Sequence, residues 1–203
     1  MPSISSYTQT IHGGIERSDP SYAIVLSSQH AAAAVPGAGT GDAHAAAIAV
    51  EAKEREAACA VALGSIYLAD PRGVAWKRAS AEEAAAFPVV TGIPRARYIH
   101  DRETSQALIR EALAALAAWR ASPRAAVGEV HVDPAAGVTL YTKQGGCAVH
   151  LGRGDGGSLA VRLRRVDAVL AALAKSGEEP QVIHADQAAH PERITVRLRK
   201  PST

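Results

Sequence analysis

The sequence predicts an α+β protein: an antiparallel or mixed β-sheet packed with two long helices, preceded by a short N-terminal segment. Three observations carry this expectation. Asp101–Arg120 and Ser158–Ala174 each place apolar side chains at intervals of three and four, the repeat of one helix face. Around these helices lie short apolar or alternating runs of strand length, bounded by Gly-, Pro- and Asp-containing turns. The stretch from Val127 to Leu151 reads as three strands joined by short Gly-containing turns, which pair antiparallel.

Taken in order from residue 57, Ala57–Leu63 and Ser65–Ala69 are apolar runs split by Gly64, which fits adjoining buried strands. Asp70-Pro71-Arg72-Gly73 follows as a turn, with Pro fixing φ at its second position and Gly easing the exit at its fourth. A second short strand holds Trp76. An Ala/Glu-rich helical turn then leads into Phe87-Pro88-Val89-Val90-Thr91-Gly92. In the first long helix Leu108, Ala112, Leu113, Leu116 and Trp119 share a face, and Ser122-Pro123 ends it. Val127–Val132, Val138–Thr142 and Cys147–Leu151 read as three strands joined by short Gly-containing turns, an antiparallel meander. Leu159, Leu163, Val166, Leu170 and Leu173 form the stripe of the second helix. Arg162, Arg164 and Arg165 lie largely off that stripe, and Ser176-Gly177 stops the helix. Two final strands, Val182–Ala185 and Ile194–Leu198, flank a polar turn at His190-Pro191-Glu192.

Composition narrows the function classes. Of 203 residues, 47% are hydrophobic but only 4% aromatic, so the core rests on Ala, Val and Leu and buries less area per residue. A formal net charge of +2, without a basic cluster, gives no electrostatic footprint for nucleic acid. Cys59 and Cys147 are far apart and lack any CxxC partner, which argues against a thiolate metal site; a disulfide and two buried free thiols both stay open. No run of about eighteen strongly apolar, uncharged residues is present, and the opening MPSISSYTQTIHGGIER has neither a basic nor an apolar signal region.

The segment IYLADPRGVAWKRASAEEAAAFPVVTGI, Ile66–Ile93, read together with LGRGD at Leu151–Asp155 and the closing VIHADQAAHPERITVRL, resembles the periplasmic β domain of the bacterial cell-division family FtsQ/DivIB. The order of elements from Ala57 to Leu198 follows that family, and the match is specific in combination. The resemblance implies a non-enzymatic protein of the division septum, on the periplasmic side of the cell inner membrane, that presents a surface to other division proteins. Family members carry one N-terminal membrane helix, so membrane association is expected only through a segment absent from this chain. The family also places a small POTRA domain before the β domain. Here Ile48–Glu56, containing V-E-A-K-E-R-E, resembles the last strand of that domain, whereas Ser21–Ser28 reads as a strand or short helix. The expected division is therefore a truncated POTRA-like segment, residues 1–56, and a β domain, residues 57–203.

Several constellations in the sequence bear on chemistry. Gly37-Ala38-Gly39-Thr40-Gly41-Asp42 lacks both the third glycine of a dinucleotide loop and the lysine of a P-loop, and reads as a linker. Leu151–Ser158 opens a helix with a Gly-rich turn. An anion could sit there, yet a structural junction capped by Asp155 or Ser158 is the simpler reading. His131 with Asp133, and His184 with Asp186, each share a strand face at period two; with His150 and His190 they raise a metal-dependent hydrolase as an alternative, although no metal-ligand spacing supports it. Ser158, His150 and Asp155 form a hydrolase-like triple of the kind any chain contains. No catalytic residue, cofactor, metal site or small-molecule substrate is predicted.

The predicted site is the last strand with its flanks: Arg193, Ile194, Thr195, Val196, Arg197, Leu198 and Arg199. A last strand at a sheet edge leaves backbone groups unpaired, open to a partner segment by strand addition or merely shielded by its charges. The resemblance favours strand addition, since the family receives FtsB on its C-terminal edge strand, with FtsL in the same complex. A general peptide-binding assembly factor using the same edge is the other binding reading.

Overall fold

The computed structural model describes residues 22–26, 50–154, 156–187, 190 and 193–200. The chain divides into two units, Met1–Arg55 and Glu56–Thr203. In the first, strand β1 (Tyr22–Leu26) pairs antiparallel with β2 (Val50–Glu54). Of the two readings of Ser21–Ser28, the described part, Tyr22–Leu26, takes the strand.

The second unit is built on β3 (Cys59–Ala62), β4 (Ile66–Ala69), β5 (Ala75–Arg78), β6 (Val89–Thr91), β7 (Val127–Asp133), β8 (Gly137–Thr142), β9 (Ala148–Gly152), β10 (Pro180–His184) and β11 (Thr195–Leu198). These form one nine-stranded sheet in the order β11-β10-β9-β8-β7-β6-β3-β4-β5. The predicted meander is present as β7-β8-β9, antiparallel throughout. Three pairs are parallel: β3 with β6, β6 with β7, and β9 with β10. Parallel neighbours need long connections, and helices supply two of them. Helices α2 (Arg95–His100) and α3 (Arg102–Arg120) carry the chain from β6 to β7, and α4 (Gly156–Ser176) carries it from β9 to β10.

Several boundaries have a local cause. The short helix α1 (Ala81–Ala85) starts at a capping box: the Ser80 hydroxyl accepts the Glu83 N–H while the Glu83 carboxylate accepts the Ser80 N–H. Asp101 caps α3 by accepting the Thr104 N–H. At the end of α4 the Glu178 N–H reaches back to the Leu173 carbonyl at 3.1 Å, the closure that a glycine at 177 permits. Gly92, at φ +92°, lies where an added Cβ would come within 2.0 Å of the Val132 carbonyl oxygen, so only glycine lets β6 leave the sheet so close to β7.

Strand alternation separates the sheet's two faces. One row crosses seven strands as Val61, Val90, Val130, Leu140, Val149, Ile183 and Val196, each paired with the next. All but Val196 are buried, and Val196 packs against the same core. Ile109, Ala112, Leu116 and Trp119 of α3 and Leu163 and Val166 of α4 complete this core. Each fully buried Val, Leu or Ile contributes about 1.5–3 kcal/mol. A second contribution is polar. Arg124, its side chain 5% exposed, forks onto Asp167 of α4 at 2.6 and 2.8 Å, donates to the carbonyls of Ala118 and Trp119, and lies over the Trp119 ring. It thereby closes the C-terminal end of α3 and ties it to α4.

Candidate functional site

One position along from the apolar row, the opposite side of each strand carries a polar row: Thr91, His131, Thr139, His150, His184 and Thr195, again paired strand to strand from β6 to β11. Thr91 Oγ1 donates to Glu129 Oε1 at 2.6 Å and lies 2.9 Å from His131 Nδ1. Thr139 Oγ1 meets His150 Nδ1 at 3.0 Å. The rings of His150 and His184 stack with centroids 4.5 Å apart and planes 5° from parallel. Burial, then the neighbouring His184, lowers the pKa of His150 below its ordinary value, with Asp186 pulling the other way. At the row's end the Gln187 side-chain amide donates to Thr195 Oγ1 at 2.9 Å.

The histidine arrangement corrects part of the sequence reading. His131 and His184 do not meet, because β8 and β9 lie between their strands, a separation of about 14 Å at three interstrand spacings. His131 turns to Thr91 instead, and Asp133 caps its own turn by accepting the N–H groups of Ala135 and Ala136 at 2.7 Å each. Those two backbone bonds, Ala136 first, hold the Asp133 carboxyl below the usual carboxylate range. The histidine brought to His184 is His150, from the adjacent strand, with Asp186 beside them. Sequence spacing missed the pairing because it depends on β9 and β10 being parallel neighbours.

Among the described residues the last strand β11 occupies one end of the sheet, with β10 as its single neighbour there. The Arg199 N–H donates inward to the Glu179 carbonyl at 2.8 Å. Antiparallel alternation then turns the N–H groups of Thr195 and Arg197 toward β10 and those of Val196 and Leu198 away from the sheet. Among the predicted site residues, Arg193, Thr195, Arg197, Leu198 and Arg199 are exposed, while Ile194 and Val196 are half-buried against the core. Ile194 lies just ahead of the strand. The Arg199 guanidinium is held by its own chain, on the Gly145 carbonyl and within 3.5 Å of the Glu179 carboxylate.

The remaining constellations are structural or fall outside the description. Arg162 of α4 donates to the carbonyls of Leu151 and Arg153 at 2.6 and 2.7 Å, an internal tie between α4 and the end of β9. Asp155 and Gly37–Asp42 lie outside the described residues. Cys59 and Cys147 are both buried and unpaired. Four interstrand spacings, about 19 Å, separate β3 from β9, far beyond disulfide reach. Burial, with Asp70 adding to it, pushes the Cys59 thiol up to about 12. Among the described residues no helix is long and apolar enough to cross a membrane.

A family model described as cell division protein FtsQ/DivIB, C-terminal, matches residues 58–186. The chain belongs to the FtsQ/DivIB family. Among curated proteins it is similar to the cell division protein FtsQ of Anaeromyxobacter sp. (strain K), 38% identical over 144 residues that cover 70% of this chain and 48% of that protein. FtsQ of Myxococcus fulvus is 33% identical over 144 residues, covering 70% of this chain and 49% of the relative. FtsQ of Geotalea daltonii is 31% identical over 107 residues, 51% of this chain and 39% of the relative. The chain thus spans about half the length, or less, of the FtsQ proteins it matches. The nine-stranded mixed sheet and its packed helices are the FtsQ-type β domain expected from the sequence, and the likeness supports a role in cell division.

Proposed function

We propose that residues 57–203 act as a non-enzymatic scaffold in septum assembly, accepting a partner segment by strand addition along β11. The observation that carries this reading is the position of β11: it ends the sheet, and the N–H groups of Val196 and Leu198 point away from β10. Thr195 and Arg197 stand on one side of the strand, so the added strand meets a polar, basic margin suited to an acidic or amphipathic sequence. Arg197 is the strand's own cation; Arg193 and Arg199 flank it. By family likeness the partners are the division proteins FtsB and FtsL, on the periplasmic side of the inner membrane.

The test is a binding titration of the purified chain against the periplasmic segments of FtsB and FtsL from the same organism. Saturable one-to-one binding is expected, and Val196→Pro, which removes an outward donor without breaking a bond to β10, should weaken it at least about tenfold. The fold of that variant is checked by thermal unfolding. Undiminished binding by a folded Val196→Pro chain would overturn the mechanism. Saturable binding of many unrelated extended peptides would instead favour a general assembly factor.

A further inference from the structure

We propose that His150, His184 and Asp186 form a binding site for a divalent transition-metal ion of the zinc class. One ligand atom from each residue lies within 4.8 Å of the others. The residues come from two adjacent parallel strands and the step just beyond them: His150 and His184 are direct register partners, and the Ala185 N–H continues the ladder to the His150 carbonyl at 2.9 Å. Asp186 shares the face of His184, with its Oδ1 3.6 Å from His184 Nδ1.

Two further features shape the site. Thr139 engages Nδ1 of His150, which fixes that ring and leaves Nε2 for an ion, the outer-shell arrangement found around metal-bound histidines. Gly152, at φ +69°, stands where a Cβ would come within 2.8 Å of the Asp186 Cβ, so the glycine lets residue 186 pack directly against β9. The Arg162 guanidinium next to this glycine is committed to the carbonyls of Leu151 and Arg153. Around a tetrahedral ion with bonds of about 2.0–2.1 Å, ligand atoms stand about 3.3 Å apart. Closing on an ion therefore asks for a contraction of up to about 1.5 Å. Half-buried side chains make this by rotating one ring out of the stack. Two imidazoles and one carboxylate suit zinc and its neighbours rather than calcium or magnesium, and leave a coordination position open to water. The site sits one strand in from β11 and does not depend on strand addition there.

The test titrates zinc chloride into the whole chain near neutral pH by calorimetry, alongside His150→Asn, His184→Asn and His131→Asn. One equivalent should bind, at least about tenfold more weakly in the first two variants and unchanged in the third. The ring-proton NMR signals of His150 and His184 in the unsubstituted chain should shift with zinc while those of His131 stay in place, a readout independent of how the variants fold. No stoichiometric binding, binding that survives both substitutions, or a shift confined to other histidines would overturn the proposal.

Discussion

Asp70 is 3% exposed, yet its carboxylate accepts the N–H groups of Arg72 and Val74 at 3.0 Å and the Arg72 guanidinium at 3.1 Å. Burial works to raise its pKa, but these hydrogen bonds and the Arg72 charge together leave it below its ordinary value of 3.8. A folded-state pKa below the unfolded one means that this group's contribution is complete above the unfolded value and is lost as pH falls through the folded one. Asp70→Asn keeps an acceptor and removes the charge. It should cost about 1–2 kcal/mol at neutral pH. The gap to the unsubstituted chain should close as urea denaturation is repeated from about pH 5 toward pH 2. Arg124 is the other residue on which much rests. Arg124→Ala removes the fork onto Asp167 and two carbonyl contacts at the end of α3, and should cost about 2–3 kcal/mol in the same assay. Arg124→Lys should recover only part of that, since an ammonium cannot reproduce the planar fork.

At the scale of elements, the sequence exposed whatever depends on local period and turn chemistry. The stripe Leu159, Leu163, Val166, Leu170 marked α4, and the glycines between Val127 and Leu151 marked the meander. Helix α2 escaped notice because six residues make too short a period to read. What places it is tertiary: the Tyr98 hydroxyl accepts the Ala75 N–H of β5 at 2.8 Å, across 23 residues of sequence. The parallel pairing of β9 with β10 escaped for a related reason. A crossover helix permits several neighbours, and only packing chooses among them. The histidine cluster inherited that blindness, since His150 meets His184 only through this pairing. The edge position of the last strand was legible, and among the described residues β11 ends the nine-stranded sheet. That Arg199 is spent on Gly145 and Glu179 was not, because both contacts come from loops distant along the chain.

At the scale of the whole molecule, the sheet carries two parallel inscriptions one residue apart. An apolar row from Val61 to Val196 anchors the helices, and a polar row from Thr91 to Thr195 faces the other way. A one-residue slip in any strand would exchange the two, so burial of the first row fixes the register of the second. Both rows end at β11, the strand on which the proposed addition of a partner segment rests. The measurement that tests this most directly is amide hydrogen exchange of β11 with and without the periplasmic segments of FtsB and FtsL. In the free chain Thr195 and Arg197 should be protected by β10 while Val196 and Leu198 exchange quickly; adding the partner should slow Val196 and Leu198 at least about tenfold. A partner that binds and protects some other surface, leaving Val196 and Leu198 as fast as before, would contradict strand addition at this edge.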